Sequence, residues 1–472
     1  MKNKKTLAVM LAAIMSLSAT ACGNSDSSSS AAEKKNDKTE SKSETVDTGN
    51  YKGKIDAKGA TLVVYTNRSD RITDGTYKKL TEQFEKANNC KVEYKNEKDY
   101  EGDMGEKITS GGDYGDVLAI PGAINTKNMS EYLEPLGTYE QLSKRYRWVD
   151  QKMTDDGTVY GLATGGSVTG LLYNKKVWTN AGYTEELDNL PKTPEEFIKA
   201  LKAVKQKNTD CCPLRTDFGE SWLAGKWNDW VLSASGDPSY NQNIVKNKED
   251  IFGKDSYYYK VYKCMFDVFS DKSLIETNPM ETGVWERSKT AIAEGKVGCM
   301  VLGSWAVTQI EELAGDNKDD IGFMPVPFTA PDGKQYSQTT PDYFLGVNKN
   351  SNKKELAKAY ITWFIENSGA PENEGMLSSA LGKPLPDSIS TWGNKIVFFD
   401  EAEATEGYDG VFAEINSQSI QTDNNEKESF KMRMAKAAFD GKGEEDFQAI
   451  CDEMNQKWNE ARDKVLKEKG LA

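Results

Sequence analysis

Apolar and polar positions alternate in rhythms that define elements along most of the chain. Residues 61–66, TLVVYT, form a short apolar run suited to a buried strand. Tyr77, Leu80, Phe84 and Ala87 then recur at spacings of three and four, which puts them on one face of a helix. CKVEYK (90–95) predicts the next strand, and a second helical stretch leads into DVLAI (116–120). Strand, helix, strand in this order implies parallel pairing through right-handed crossovers.

The rhythm resumes at GLLYN (170–174), read as a strand, and PKTPEEFIKALKAVK (191–205), read as a helix. Thr193 can cap that helix, Pro194 suits its first turn and Glu196 completes a capping box. Phe197, Ile198, Leu201 and Val204 form its core stripe. Strands are predicted again at VGCMVL (297–302), IGFMPVP (321–327) and YFLGV (343–347). From Ser351 the pattern is mostly helical. In EDFQAICDEMNQKWNEARDKVL (445–466) the apolar stripe is Phe447, Ile450, Met454, Trp458 and Ala461. The fold class is α/β, and no internal repeat is visible.

The first fifty residues follow another logic. Lys2, Lys4 and Lys5 precede an apolar run from Leu7 to Leu17 and small residues up to Ala21, the order of an export signal. The run is shorter than the roughly 20 apolar residues that span a bilayer. Small residues before Cys22, with Gly23 after it, resemble the lipobox of bacterial lipoproteins, in which the cysteine is acylated and the signal removed in front of it. Residues 23–50 hold no aromatic, Leu or Ile, so they cannot offset their ordering entropy. They read as a tether between a lipid anchor at Cys22 and a folded body, with a reach of roughly 30 Å.

Composition narrows the function. The formal charge is −14 with no basic block, which argues against nucleic acid as a partner. There is no histidine, so no Ser-His-Asp triad, no His-activated cysteine and no histidine metal site exists. No cofactor is expected. DNKDD (316–320) lacks the spaced ligands of a calcium loop and reads as a solvated turn. Cys299 reads as a small buried hydrophobe.

Four stretches resemble one family, the extracellular solute-binding lipoproteins that feed sugars to ABC importers. They are ITSGGDYGDVLAIP, TGLLYNKKVWTNAGY with the helix after it, AIAEGKVGCMVLGSWAVTQI, and DYFLGVNKNSNKKELAKAYITWFIE. Gly115 stands where the family usually has proline. The resemblance implies a two-lobed, type II periplasmic-binding-protein-like fold with a hinge and a ligand cleft between the lobes. It assigns 1–21 to the signal, 22–50 to anchor and linker, 51–166 plus 328–369 to the N-terminal lobe, and 167–327 plus 370–472 to the C-terminal lobe. It also implies a carbohydrate ligand, ABC permease subunits as partners and a location on the outer face of the cell membrane. A monomer is expected.

Sugars offer apolar faces to aromatic rings and hydroxyls to carboxylates, amides and guanidinium groups. Trp305 follows the carboxyl end of VGCMVL, where α/β sheets place ligands, and in the family this tryptophan often stacks on the sugar. Asn67, Arg68 and Asp70 follow the first strand; hydroxyl recognition and a local ion pair compete there. Ser167 stands at the lobe crossing, where ligand contact and hinge roles compete. By resemblance Asp342 and Tyr343 also contact ligand. Trp222, Trp227 and Trp230 are candidates to wall the second lobe, one of them stacking on sugar. Two other readings remain open: a receptor for a peptide or polyamine, and an anchored glycoside hydrolase.

Overall fold

The computed structural model describes residues 55–471 apart from Lys98 and Thr282. The expected signal, Cys22 and the tether lie outside the described residues.

Two sheets organise the body. In the first, Thr61–Tyr65 pairs in parallel with Lys91–Lys95 and Val117–Ala119, as strand-helix-strand order requires. Phe344–Asn348 then adds antiparallel to Val117–Ala119, bringing a late segment back beside early ones. The second sheet is built around the nine-residue strand Gly166–Asn174. Val297–Gly303, Ile321–Met324 and Tyr336–Pro341 all pair with it antiparallel. Cys212–Arg215 and Val397–Asp400 extend the two edges in parallel.

Each sheet has its own apolar cluster. One contains Leu62, Val64, Phe84, Val117, Leu118, Leu345, Tyr360 and Ile361. The other contains Leu171, Leu172, Phe197, Trp230, Val301, Phe323 and Trp458. The first cluster stops at Ala163 and the second begins at Val168. The chain returns to the first sheet after Pro341, and Ala370, Leu377 and Ala380 still pack with the first cluster before Ile389 joins the second. Both later crossings therefore fall beyond the expected boundaries at 327/328 and 369/370.

Local physics explains most elements. Thr193 caps Pro194–Lys207 by accepting from the Glu196 N–H at 3.3 Å, while the Glu196 carboxylate accepts from Lys192 N at 2.8 Å, one residue outside the cap. Phe197, Leu201 and Val204 are buried as the stripe requires, and Ile198 is half-buried. In Thr76–Asn88 the stripe is shifted at its end. Ala87 is exposed, and Asn88 turns inward to donate to the Phe84 carbonyl and accept from Ile55 N. Asp116 accepts from Val63 N, Ser351 Oγ and Lys353 Nζ, tying the first sheet to the helix that follows Phe344–Asn348. Cys299 is fully buried, and the six cysteines from Cys90 onward are all unbridged.

Candidate functional site

Three segments cross between the sheets at one level and are bonded to one another. Asp342 N donates to the Gly165 carbonyl at 2.9 Å, and Gly166 and Leu377 exchange backbone bonds at 2.7 and 2.8 Å. Beside this junction lies a cavity of about 280 Å³, near the lower end of small-molecule sites at about 300–1,000 Å³.

The crossings supply Ser167, Thr340, Pro341 and Asp342 to the cavity wall. From the first sheet come Arg68 and, past its returning helix, Glu374 and Met376. From the second come Thr169, Gly170, Leu302, Gly303 and Trp305, with Gln309, Lys226 and Asp229 beyond them. Gly303 is required by close approach. A Cβ there would lie 2.1 Å from Ser167 Oγ and 2.8 Å from Trp305 Cδ1. Ser304, fully buried, accepts from Val168 N at 3.1 Å. That bond pins the turn and leaves the half-buried Trp305 at the start of the helix Ala306–Ala314.

Charges on the first-lobe side are already paired. Arg68 forks onto Asp70 with bonds of 3.0 and 2.8 Å and reaches Glu374 at 2.9 Å. Arg71 makes two further bonds to Glu374, at 2.7 and 2.9 Å. Glu374 thus gathers two guanidinium groups at the wall, and Arg68 is presented with its charge balanced. Asp342 differs. Its carboxylate keeps surface open to the cavity while both lobes crowd it, and it accepts from the backbone N–H of Tyr343. That loss of surrounding water pushes its carboxyl above the ordinary range, opposed by the Tyr343 N–H and by Arg68, with Glu374 adding to the effect.

Of the residues singled out from sequence, Arg68, Ser167, Trp305 and Asp342 line this cavity. Asn67 and Tyr343 line a smaller hollow of about 30 Å³ that shares Arg68, Asp342, Glu374 and Met376 with it. Asp70 lines neither and engages Arg68 instead. Trp222 stands off the cavity, its ring 6.3 Å from that of Trp305.

Trp227 and Trp230 belong to the core, which corrects their expected place in the wall. They are 1% and 0% exposed, and their rings pack 4.8 Å apart. Trp230 Nε1 donates to the Gly170 carbonyl beneath the sheet. Sequence reasoning missed Glu374, Lys226, Asp229 and Gln309. The Lys226–Asp229 pair, 2.9 Å apart, was detectable as opposite charges three positions apart; Glu374 carried no local signal. Among the described residues no group of three or more His, Cys, Asp or Glu is arranged to hold a metal.

Two lobes with separate cores, three bonded crossings and a polar cavity with one tryptophan face define a two-lobed solute-binding receptor. Residues 69–371, more than half the chain, match the family described as bacterial extracellular solute-binding protein, and the chain belongs to that family. Among solved structures, a binding protein of an ABC transporter from Bifidobacterium animalis subsp. lactis, in complex with mannobiose, superposes with a TM-score of 0.75 at 33% identity. The match covers 86% of this chain and 95% of that one. The galactooligosaccharide-binding protein of Bacillus subtilis is 27% identical over 379 residues, 77% of each chain. The diacetylchitobiose binding protein DasA of Streptomyces coelicolor is 27% identical over 219 residues. That alignment spans 45% of each chain, so this protein covers about half the length of that relative. The family is one of receptors, not of enzymes. Among the described residues no helix is long and apolar enough to cross a membrane.

Proposed function

We propose that the protein is the carbohydrate receptor of an ABC importer. It captures a neutral oligosaccharide between its lobes and presents the closed form to a membrane permease without cleaving the sugar. The observation that carries this reading is the meeting of the Trp305 ring with Ser167, Gln309 and the Asp342 carboxylate around one cavity. An indole face suits the C–H face of a pyranose, and the polar groups suit its hydroxyls. The relatives point the same way, and the mannobiose-bound structure favours a manno-oligosaccharide.

Within this reading, Trp305 stacks on the sugar while Arg68, Ser167 and Asp342 take hydroxyls. Asn67 and Tyr343 line the small adjoining hollow. Cys22 carries the lipid that holds a monomeric receptor at the outer face of the membrane, and residues 23–50 are its leash. Tethering keeps the receptor concentrated near its permease.

A thermal-shift screen of the purified protein tests the reading, with manno-, galacto- and chito-oligosaccharides set against peptides and polyamines. Ligand at a hundred times its dissociation constant adds about 2.7 kcal/mol. A rise with one sugar series, lost in Trp305→Ala and accompanied by no new reducing ends, is expected. Silence across all sugars with a rise from a peptide or polyamine would overturn it.

A further inference from the structure

Behind Trp305 stand two more tryptophans, each also at the start of a helix: Trp222 opens Trp222–Gly225 and Trp285 opens Trp285–Ala293. The three rings form a closed set. Trp285 lies 5.7 Å from Trp305 at 66°, Trp222 lies 6.3 Å from Trp305 at 43°, and Trp222 meets Trp285 edge-on at 6.2 Å. Only Trp305 lines the cavity. Its orientation therefore depends on where the other two are held.

A single carboxylate holds both. Glu220 Oε2 accepts from Trp222 Nε1 at 3.1 Å, and Glu220 Oε1 accepts from the backbone N–H of Trp285 at 2.8 Å. The chain between them is pressed close: a Cβ on Gly283 would lie 2.3 Å from Glu220 N. The same helix carries Lys289 over the Trp285 ring, 5.4 Å from its centroid, and Lys289 donates to Gln309 Oε1 at 3.4 Å. Gln309 is itself a cavity residue.

We propose that Glu220 is a positioning residue for the sugar site. By clamping Trp222 to the start of the Trp285 helix, it sets the angle at which Trp305 faces the cavity, and through Lys289 it sets the place of Gln309. Glu220 does not line the cavity. The inference rests on the oligosaccharide reading for its effect on binding, but the clamp itself can be tested without any sugar.

The test uses protein labelled with 5-fluorotryptophan, with the Trp305 fluorine resonance assigned by its loss in Trp305→Phe. In Glu220→Ala that resonance shifts or splits. In Glu220→Gln, which keeps one acceptor oxygen, it moves less. Mannotriose affinity, read by calorimetry, falls about tenfold in the alanine variant, as expected for losing hydrogen bonds to a charged acceptor, and recovers in part in the glutamine variant. Where Glu220→Ala fails to fold, Glu220→Asp, which shortens the clamp by one methylene and leaves all three rings in place, carries the same measurement. An unmoved Trp305 resonance in a folded variant overturns the clamp, whatever the sugar does. A shifted resonance in a protein whose parent binds no sugar keeps the clamp and rejects the oligosaccharide reading.

Discussion

Lys431 is fully enclosed, and its ammonium donates to the Thr422 carbonyl and to Asn425 Oδ1. Burial lowers its pKa to about 8, against the favourable charges of Asp229 and Asp423. Below that pH the folded and unfolded states are both protonated, and the folded state carries the whole cost of burying the charge. Between about 8 and the ordinary lysine value only the unfolded state keeps the proton, so stability from this group rises with pH. Relative to Lys431→Met, the parent should gain on the order of 3 kcal/mol over that window. Urea unfolding of both proteins from pH 7 to 10 reads the difference directly, and parallel curves would refute it. At the cavity, Gly303→Ala drives a methyl into Ser167 and Trp305. Calorimetry should find sugar affinity lower by at least about tenfold in a variant that still melts cooperatively. Trp305 was legible in the sequence because a strand's carboxyl end fixed its place. Trp227 and Trp230 were not, because an indole in an aromatic stretch reads alike whether it faces a cleft or a core. Glu374 is brought in by the fold alone, more than three hundred residues from the arginines it gathers.

Elements were easier to read than side chains, since periodicity reports a face without needing a partner. Thr61–Tyr65, Lys91–Lys95 and Pro194–Lys207 lie where their patterns put them. Tyr336–Pro341 was not among the predicted strands, because its polar sequence carries no apolar rhythm and it is fixed by pairing with Gly166–Asn174 across the crossing. Trp230→Ala should cost about 3–5 kcal/mol, as large-to-small changes in a tight core do. It should lower the melting temperature while leaving the sugar dissociation constant of the folded protein within a few-fold of the parent. Thr193→Ala removes a cap and should cost about 1 kcal/mol, again with binding unchanged. A sharp loss of affinity in Trp230→Ala would return that ring to the site.

Across the whole molecule, side chains outside the cavity lining also tie the lobes. Trp148, in the left-handed region at φ 57°, donates its Nε1 to Asp400 Oδ1 at 2.7 Å, and Arg147 approaches the other oxygen at 3.4 Å. Arg71 reaches Glu312 on the helix behind Trp305, also at 3.4 Å. These ties favour the form in which the lobes are together, and ligand affinity depends on how much of that form exists beforehand. Asp400→Ala should therefore enlarge the radius of gyration of the sugar-free protein in solution scattering and weaken sugar binding, although Asp400 does not line the cavity. Glu312→Gln, at an exposed and longer contact, should do far less.

The crossings carry a further consequence. Ser167 and Asp342 are at once wall residues and parts of the bonded segments that cross between the lobes. A lineage that changes either one to accept a new sugar also changes how readily the receptor opens. Diversification of diet in such a receptor would therefore fall on the lobe faces, where Trp305, Gln309 and Lys226 stand, while the pivot stays as it is.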